Sequence, residues 1–237
     1  MDVLWNFHEV FPEQVDEAHA LLSTIFSAAK TAKARWNERE TIRRIIFPVL
    51  EKVLSYPSED ISETPDPTVY YEEKRLDADF VVRNDCVIEA KRMKTPLLAW
   101  SKESAGFSNA IDQGLTYLDN YNSNFCIITN GWDWYLFAKS TNWNIFNQVS
   151  DINYFGIRFR LDDAASSPDK TRLFQFMSLF NNASISNMVN RRIIIKGCTE
   201  RILARNMYGR TCKLFFRDFS TSPTQGPGSG FNWPTSR

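Results

Sequence analysis

A chain of 237 residues with 28 lysines and arginines against 28 aspartates and glutamates carries no formal net charge, and its length suits one large domain or a domain with an appendage. Its 43% hydrophobic and 24% charged content excludes a disordered chain. No apolar run approaches the ~20 residues of a membrane span, and the acidic start MDVLWNFHEV lacks the basic and apolar regions of a signal peptide, so a cytoplasmic protein is expected.

The first element predicted is a helix over residues 12–30, where apolar positions recur at helical spacing, acids come early and a lysine comes late. A second helix is predicted over 37–54, with Asn37 as N-cap and Glu40 completing a capping-box-like pattern. Pro48 within it predicts a kink or break. The polar segment YPSEDISETPDP then reads as a loop.

Beyond the loop the hydrophobic period changes to two. Short strands are expected at 68–73, 75–82, 86–92, 125–129 and 134–138, with a helix over 107–121 presenting Ile111, Leu115 and Leu118 on one side. Thr129-Asn130-Gly131 marks a turn, so 125–138 reads as a hairpin. After about residue 140 the pattern weakens: 168–190 looks helical, 191–219 fits a strand pair around Tyr208-Gly209, and the Pro/Gly/Ser-rich end from 220 to 237 reads as disordered. The expected organisation is an N-terminal helical segment (1–35), a core (36–140), a C-terminal α/β extension (141–219) and a tail (220–237).

Cys86, Cys126, Cys198 and Cys212 show no CxxC spacing, and His8 and His19 are the only histidines, so buried free thiols are expected and a zinc site is not.

Chemistry concentrates in RLDADFVVRNDCVIEAKR (75–92). A hairpin centred on Asn84 sets Asp79 opposite Glu89 and Asp77 opposite Lys91, all on one face, with Leu76, Ala78, Phe80, Val82, Cys86, Ile88 and Ala90 on the other. Two carboxylates facing each other across a ladder repel unless something neutralises them. A divalent cation with oxygen ligands does so, and a lysine beside it completes equipment for phosphodiester hydrolysis. A solvated face of an amphipathic hairpin accounts for the same alternation without any function.

The order of Asp79 and then Glu89-Ala90-Lys91 resembles the PD-(D/E)-x-K nuclease core, and more specifically the N-terminal nuclease domain of type I restriction enzyme R subunits. NERETIRRIIFPVLEKVL is similar to the N-E-x-x-T helix of that family, DADFVV to its A-D-Y strand and VIEAKR to its E-A-K strand. QGLTY fits its Q-x-x-x-Y helix, and ITNGWDWYLF its T-N-G hairpin. Ala78 stands where the name motif has proline. The resemblance implies a restriction-endonuclease-like α/β core, a central mixed sheet flanked by helices, with N-terminal helices and a C-terminal α/β appendage. It implies Asp79 and Glu89 as ligands of Mg²⁺, or of Mn²⁺ in its place, and Lys91 as the catalytic lysine. Glu38 would orient a metal-bound water or complete the acidic pocket, with Glu40 as rival. Gln113 and Tyr117, one helical turn apart, would hold nucleic-acid backbone or the lysine.

The loop 93–107 carries exposed-looking Leu97, Leu98 and Trp100, suited to covering substrate, binding a partner or simple packing. No G-x-x-x-x-G-K-[ST] occurs, so the expectation is a nuclease module without a motor, free-standing or working with a separately encoded motor or specificity partner. The zero net charge conceals two zones. Residues 57–79 hold eight acids, whereas 191–217 hold eight bases, and 30–44 add six more, Arg43 among them as a candidate nucleic-acid contact. The function expected is Mg²⁺-dependent DNA cleavage in defence. A catalytically inactive nucleic-acid-binding or scaffolding relative and an RNA-directed nuclease remain alternatives.

Overall fold

The computed structural model describes residues 10–31, 36–62, 69–71, 74–82, 86–93, 95–98, 109–121, 123–142, 151–167, 169–185, 200–205 and 211–218. In chain order these form α1 (Pro12–Thr31), α2 (Glu38–Thr41), β1 (Ile61–Ser62), β2 (Val69–Tyr71), β3 (Lys74–Leu76), β4 (Phe80–Val82) and β5 (Cys86–Ala90). There follow α3 (Ala110–Asn120), β6 (Phe125–Thr129), β7 (Asp133–Asn142), β8 (Asp151–Arg160), α4 (Leu161–Ser166), α5 (Thr171–Phe180), α6 (Asn182–Ile185), β9 (Glu200–Arg205) and β10 (Thr211–Asp218).

Eight strands make one mixed sheet in the order β1-β4-β5-β6-β7-β8-β10-β9. The parallel pairs are β5 with β6, joined by a crossover through α3, and β8 with β10, between which the chain passes through α4, α5, α6 and the edge strand β9. Every other neighbour is antiparallel. The second crossover carries the chain from β8 through α4, α5 and α6, so the C-terminal α/β segment extends the central sheet. The expected boundary at 140 falls inside β7, which pairs with β8 along its whole length.

At the centre of the sheet both faces are buried among the described residues. On one, α1 lays Val15, Ala18, Leu22, Phe26 and Ala29 against α5 and the inward residues Phe80, Val82, Cys86, Ile88, Ile127, Trp134 and Leu136. On the other, Ile111, Leu115 and Leu118 of α3 meet Val81, Val87, Cys126, Ile128, Tyr135 and Phe137. Cys86 and Cys126 are buried free thiols; Cys198 and the Cys212 side chain lie outside the described residues.

Several local expectations change. The helix after Asn37 does not break at Pro48. The backbone stays helical there, and two π-helical stretches, Ile42–Ile46 and Val49–Val53, flank the proline. Proline offers no N–H to the ladder, and the wider i→i+5 spacing, as from Phe47 N–H to Ile42 O, carries the helix past it. The loop after the helix contains a missed edge strand, β1, paired with β4. The single strand expected over 75–82 is two. Between β3 and β4 the chain bends at Asp79, and Ala78 joins the α3 side of the core instead of the face it was assigned with Phe80. Leu97 is buried in the same cluster, contrary to its exposed look, whereas Leu98 is exposed and Trp100 lies outside the described residues. Helix 168–190 resolves into α5 and α6, interrupted at Asn181; residues 186–190 and 219–237 lie outside the described residues.

The TNG turn closes the β6–β7 hairpin as expected. Gly131 has φ +85°, and a Cβ there would stand 3.2 Å from an Ile45 methyl, so both conformation and space call for glycine.

Candidate active site

Pairing of β4 with β5 runs Phe80 to Ile88, Val81 to Val87 and Val82 to Cys86, the register of a hairpin centred on Asn84. Its tip, 83–85, lies outside the described residues. One residue past the last pair, Asp79 turns its side chain onto the partner strand and accepts the Ala90 N–H at 2.7 Å. Glu89 stands on the same strand one residue back, and Lys91 Nζ donates to Glu89 Oε1. Asp79, Glu89 and Lys91 therefore converge where β5 ends.

A solvated hairpin face does not describe this arrangement. All five β5 residues are buried, and Glu89 and Lys91 keep only 2% and 3% of their surface. Burying an acid and a base is costly unless they are paired and hydrogen-bonded. The strain is visible in the proton affinities. Burial pushes the Asp79 carboxyl above its ordinary range, and the Ala90 N–H and Lys91 pull it back only in part. Glu89 is pushed well above its own, first by burial and then by the Asp79 charge, against the pull of Lys91. For Lys91, burial acts downward, but Glu89, Glu38 and Asp79 outweigh it and hold its ammonium protonated above the usual lysine range.

Glu38 acts on both Glu89 and Lys91 from the first turn of α2. Its rival Glu40 is committed elsewhere. Its backbone N–H caps onto Asn37 Oδ1 at 2.9 Å, and its carboxylate meets Arg44 at 3.4 Å on the surface. Asp77 is half-buried just before the bend. Arg43 stands exposed on the π-helical continuation, on the surface and not in the buried cluster.

Gln113 and Tyr117 project from α3 into the same interior. The Gln113 amide donates to Tyr117 Oη at 2.9 Å, and both residues are buried. Gln113 Oε1 finds no hydrogen-bond partner among the described residues. Burial raises the Tyr117 hydroxyl above its ordinary pKa, and the nearby Glu89 and Asp79 charges raise it further, so it remains a neutral phenol.

Sequence reasoning left unassigned the polar residues that clasp the segment leaving β5. Thr129 O accepts the Lys91 N–H at 2.8 Å, Asn130 Nδ2 donates to Thr95 O at 2.9 Å, and Thr41 Oγ1 accepts the Met93 N–H at 3.1 Å. A threonine among the apolar residues of the buried helix side was the available signal for Thr41. The eight bases of 191–217 fall on β9, β10 and residues outside the described set.

Because Asp79 and Glu89 are raised in the folded state, the protein binds protons that the unfolded chain has already released. Their stabilising contribution is complete below the ordinary carboxylate range and is lost as pH climbs through the folded values. Asp79→Asn, which keeps an acceptor for Ala90 N–H and removes one charge, is expected to raise the melting temperature at pH 7.5 by about 2–4 °C, roughly 1 kcal/mol. Near pH 4, in EDTA, the gain should shrink. Calorimetry at both pH values checks it, and a gain that is larger at the acid end would contradict the electrostatic account.

A mixed sheet covered by helices, with two carboxylates and a lysine gathered at the end of adjacent strands, is the architecture of a restriction-endonuclease-like core. Residues 38–153 match the sequence model of the family described as type I restriction enzyme R protein N terminus, and over this span the chain resembles the N-terminal domain of those R subunits. No curated protein and no solved structure matches the chain. Among the described residues, no helix is long and apolar enough to cross a membrane.

Proposed function

We propose that the chain is a Mg²⁺-dependent nuclease that hydrolyses DNA phosphodiester bonds in defence. The observation that carries this reading is the convergence of Asp79, at the start of β4, with buried Glu89 and Lys91 at the end of β5, with Glu38 acting on the same charges.

The donor chemistry suits the metal. Among the described residues no three histidine, cysteine, aspartate or glutamate side chains form a ready-made cage. Mg²⁺ seldom needs one, since it usually takes one or two carboxylates, keeps several waters and shares substrate phosphate oxygens. Asp79 and Glu89 are hard oxygen donors whose mutual repulsion and burial favour a cation between them. When bound, Mg²⁺ supplies a Lewis acid for the phosphate and an acidified water. Lys91, held protonated by its carboxylate neighbours, supplies positive charge where the phosphorane builds negative charge. Glu38 presents a carboxylate able to orient water or accept its proton. Gln113 offers an unsatisfied buried amide oxygen, and Tyr117 a neutral hydroxyl, for holding the lysine or substrate backbone. Exposed Arg43 offers a basic contact for phosphates, and a motor or specificity partner beside the nuclease fits the same reading.

The test incubates the protein with supercoiled plasmid and with single-stranded RNA, in Mg²⁺ or in EDTA. Plasmid is expected to be cut in Mg²⁺ and spared in EDTA, and Asp79→Ala to lower the rate at least ~100-fold. Mg²⁺ should also raise the melting temperature of the wild type but not of Asp79→Ala. Cleavage confined to RNA would replace the DNA substrate. Equal cutting by wild type and variant, or none on any substrate, would remove the catalytic reading and leave a binding or scaffolding relative.

A further inference from the structure

Thr41 is fully buried on the inner side of α2, and its hydroxyl is used twice. It donates to Asn37 O at 2.9 Å within its own turn, and it accepts the Met93 N–H at 3.1 Å from a segment 52 residues away. Back-bonding of a threonine hydroxyl to its own helix is common and by itself means little. The second bond is different, because it joins two pieces of backbone that each carry a charge of the site. Glu38 lies three residues before Thr41, on the same side of the helix. Lys91 lies two residues before Met93. Beyond Ala90 the segment has left the strand ladder, and its far side is held by Lys91 N–H on Thr129 O and by Asn130 on Thr95 O. Thr41 supplies the hold on the α2 side.

We propose that Thr41 is a positioning residue, whose hydroxyl sets the turn carrying Glu38 against the strand end carrying Lys91. The proposal rests on the nuclease reading above and deepens it. Glu38 comes from α2 and Lys91 from the sheet, so their relative placement depends on whatever bonds those two bodies together. Reacting groups displaced by about 1 Å commonly lose on the order of 100-fold in rate. A single buried hydroxyl at the junction is therefore placed to matter for catalysis more than for binding.

Thr41→Val keeps the shape and removes both hydrogen bonds, whereas Thr41→Ser keeps the hydroxyl. Thr41→Cys, which sets a weaker hydrogen-bonding thiol in place of the hydroxyl and drops the methyl, is run beside them so that a folding failure of the valine variant leaves the comparison intact. With plasmid DNA and saturating Mg²⁺, Thr41→Val is expected to lower kcat about 10- to 100-fold while KM for DNA stays within about twofold. Thr41→Ser should restore kcat to within about threefold of wild type. In a Glu38→Gln background the valine substitution should cost less than about threefold further, because its target is already gone. Amide exchange at Met93 should accelerate in Thr41→Val and not in Thr41→Ser.

Equal kcat losses with and without Glu38 would overturn the positioning role and leave a plain packing contact. Unchanged Met93 protection in Thr41→Val would overturn the bond itself, even in an active enzyme. A wild type that cleaves no substrate would remove the nuclease reading and the positioning role with it, a result distinct from either of those two.

Discussion

Replacing Lys91 by alanine is expected to abolish cleavage and also to destabilise the fold, by an amount that grows with pH. The first effect follows from the role proposed for Lys91, a positive charge held at the phosphate. The second follows from burial. Lys91 Nζ sits on Glu89 Oε1, and the two side chains keep 4% and 3% of their surface. Removing one partner of such a pair leaves an uncompensated buried charge, which typically costs about 3–5 kcal/mol. Here the orphaned Glu89 also faces Asp79 and feels Glu38, which already push its proton affinity up. In the variant, Glu89 and Asp79 hold their protons still more tightly when folded, while the unfolded chain releases them at ordinary carboxylate values. Below that range both states are protonated, and the variant should lose little beyond side-chain packing. As pH rises past it, only the unfolded state ionises freely, so the penalty increases up to the folded values. Denaturant titrations at pH 5 and pH 8, without metal, should show a larger deficit at pH 8. A pH-independent deficit would mean that Lys91 stabilises by packing alone. Single-turnover cleavage on the same preparations separates the catalytic loss from any unfolded fraction.

The local hairpin was legible in the sequence because strand pairing obeys a parity rule. Once Arg83-Asn84-Asp85 is taken as the tip, every pair is fixed, and the register puts Asp79 beside Glu89. What the pattern could not show is that both sheet faces are covered. Alternation of charged and apolar residues usually signals a solvated face, yet α3 lies over this one, and its arrival depends on a crossover after β5. The bend at Asp79 was hidden for a related reason. Residues 75–82 alternate as one strand, but Ala78 is small enough to enter the α3 core, and Asp79 gains the Ala90 N–H by leaving the ladder. Thr41 and Asn130 stand in the N-E-x-x-T and T-N-G patterns, but what they hold was hidden, since Thr41 accepts from Met93 52 residues away and Asn130 donates to Thr95 35 residues away. Glu38 and Glu40 were inseparable from spacing alone. The surface pair with Arg44 and the coupling to Lys91 distinguish them.

The balanced charge reads differently once the site is placed. The acids of the site are few, and the buried one, Glu89, is opposed at contact distance by Lys91. Whole-chain neutrality therefore bounds the long-range pull on a polyanion and leaves the local chemistry free.

Trp134→Ala is expected to cost about 3–5 kcal/mol. Trp134 is fully buried next to the TNG turn, and its indole N–H donates to Gly131 O at 3.1 Å. Its ring meets Phe176 edge-on at 5.6 Å and Phe180 at 6.4 Å, both from α5. Phe159 at the end of β8 joins the same cluster, with ring centroids 5.8 Å from Phe176 and 5.7 Å from Phe180. Truncation thus opens a cavity between the sheet and α5 and strips a hydrogen bond from the turn that supports Asn130 and Thr129. The family match ends at residue 153, ahead of Phe159 and α5, yet these residues close the core over the sheet that holds the site. Segment 154–185 is therefore part of the folding unit, and ending the chain at 153 should expose Trp134 and leave no cooperative unfolding transition. Thermal or denaturant unfolding of Trp134→Ala, followed by circular dichroism, measures the loss. Trp134→Phe, which refills most of the volume without the indole N–H, should recover more than half of it. A Trp134→Ala protein as stable as wild type, or a cooperatively folding 1–153 fragment, would show that α5 packs on a core already complete without it.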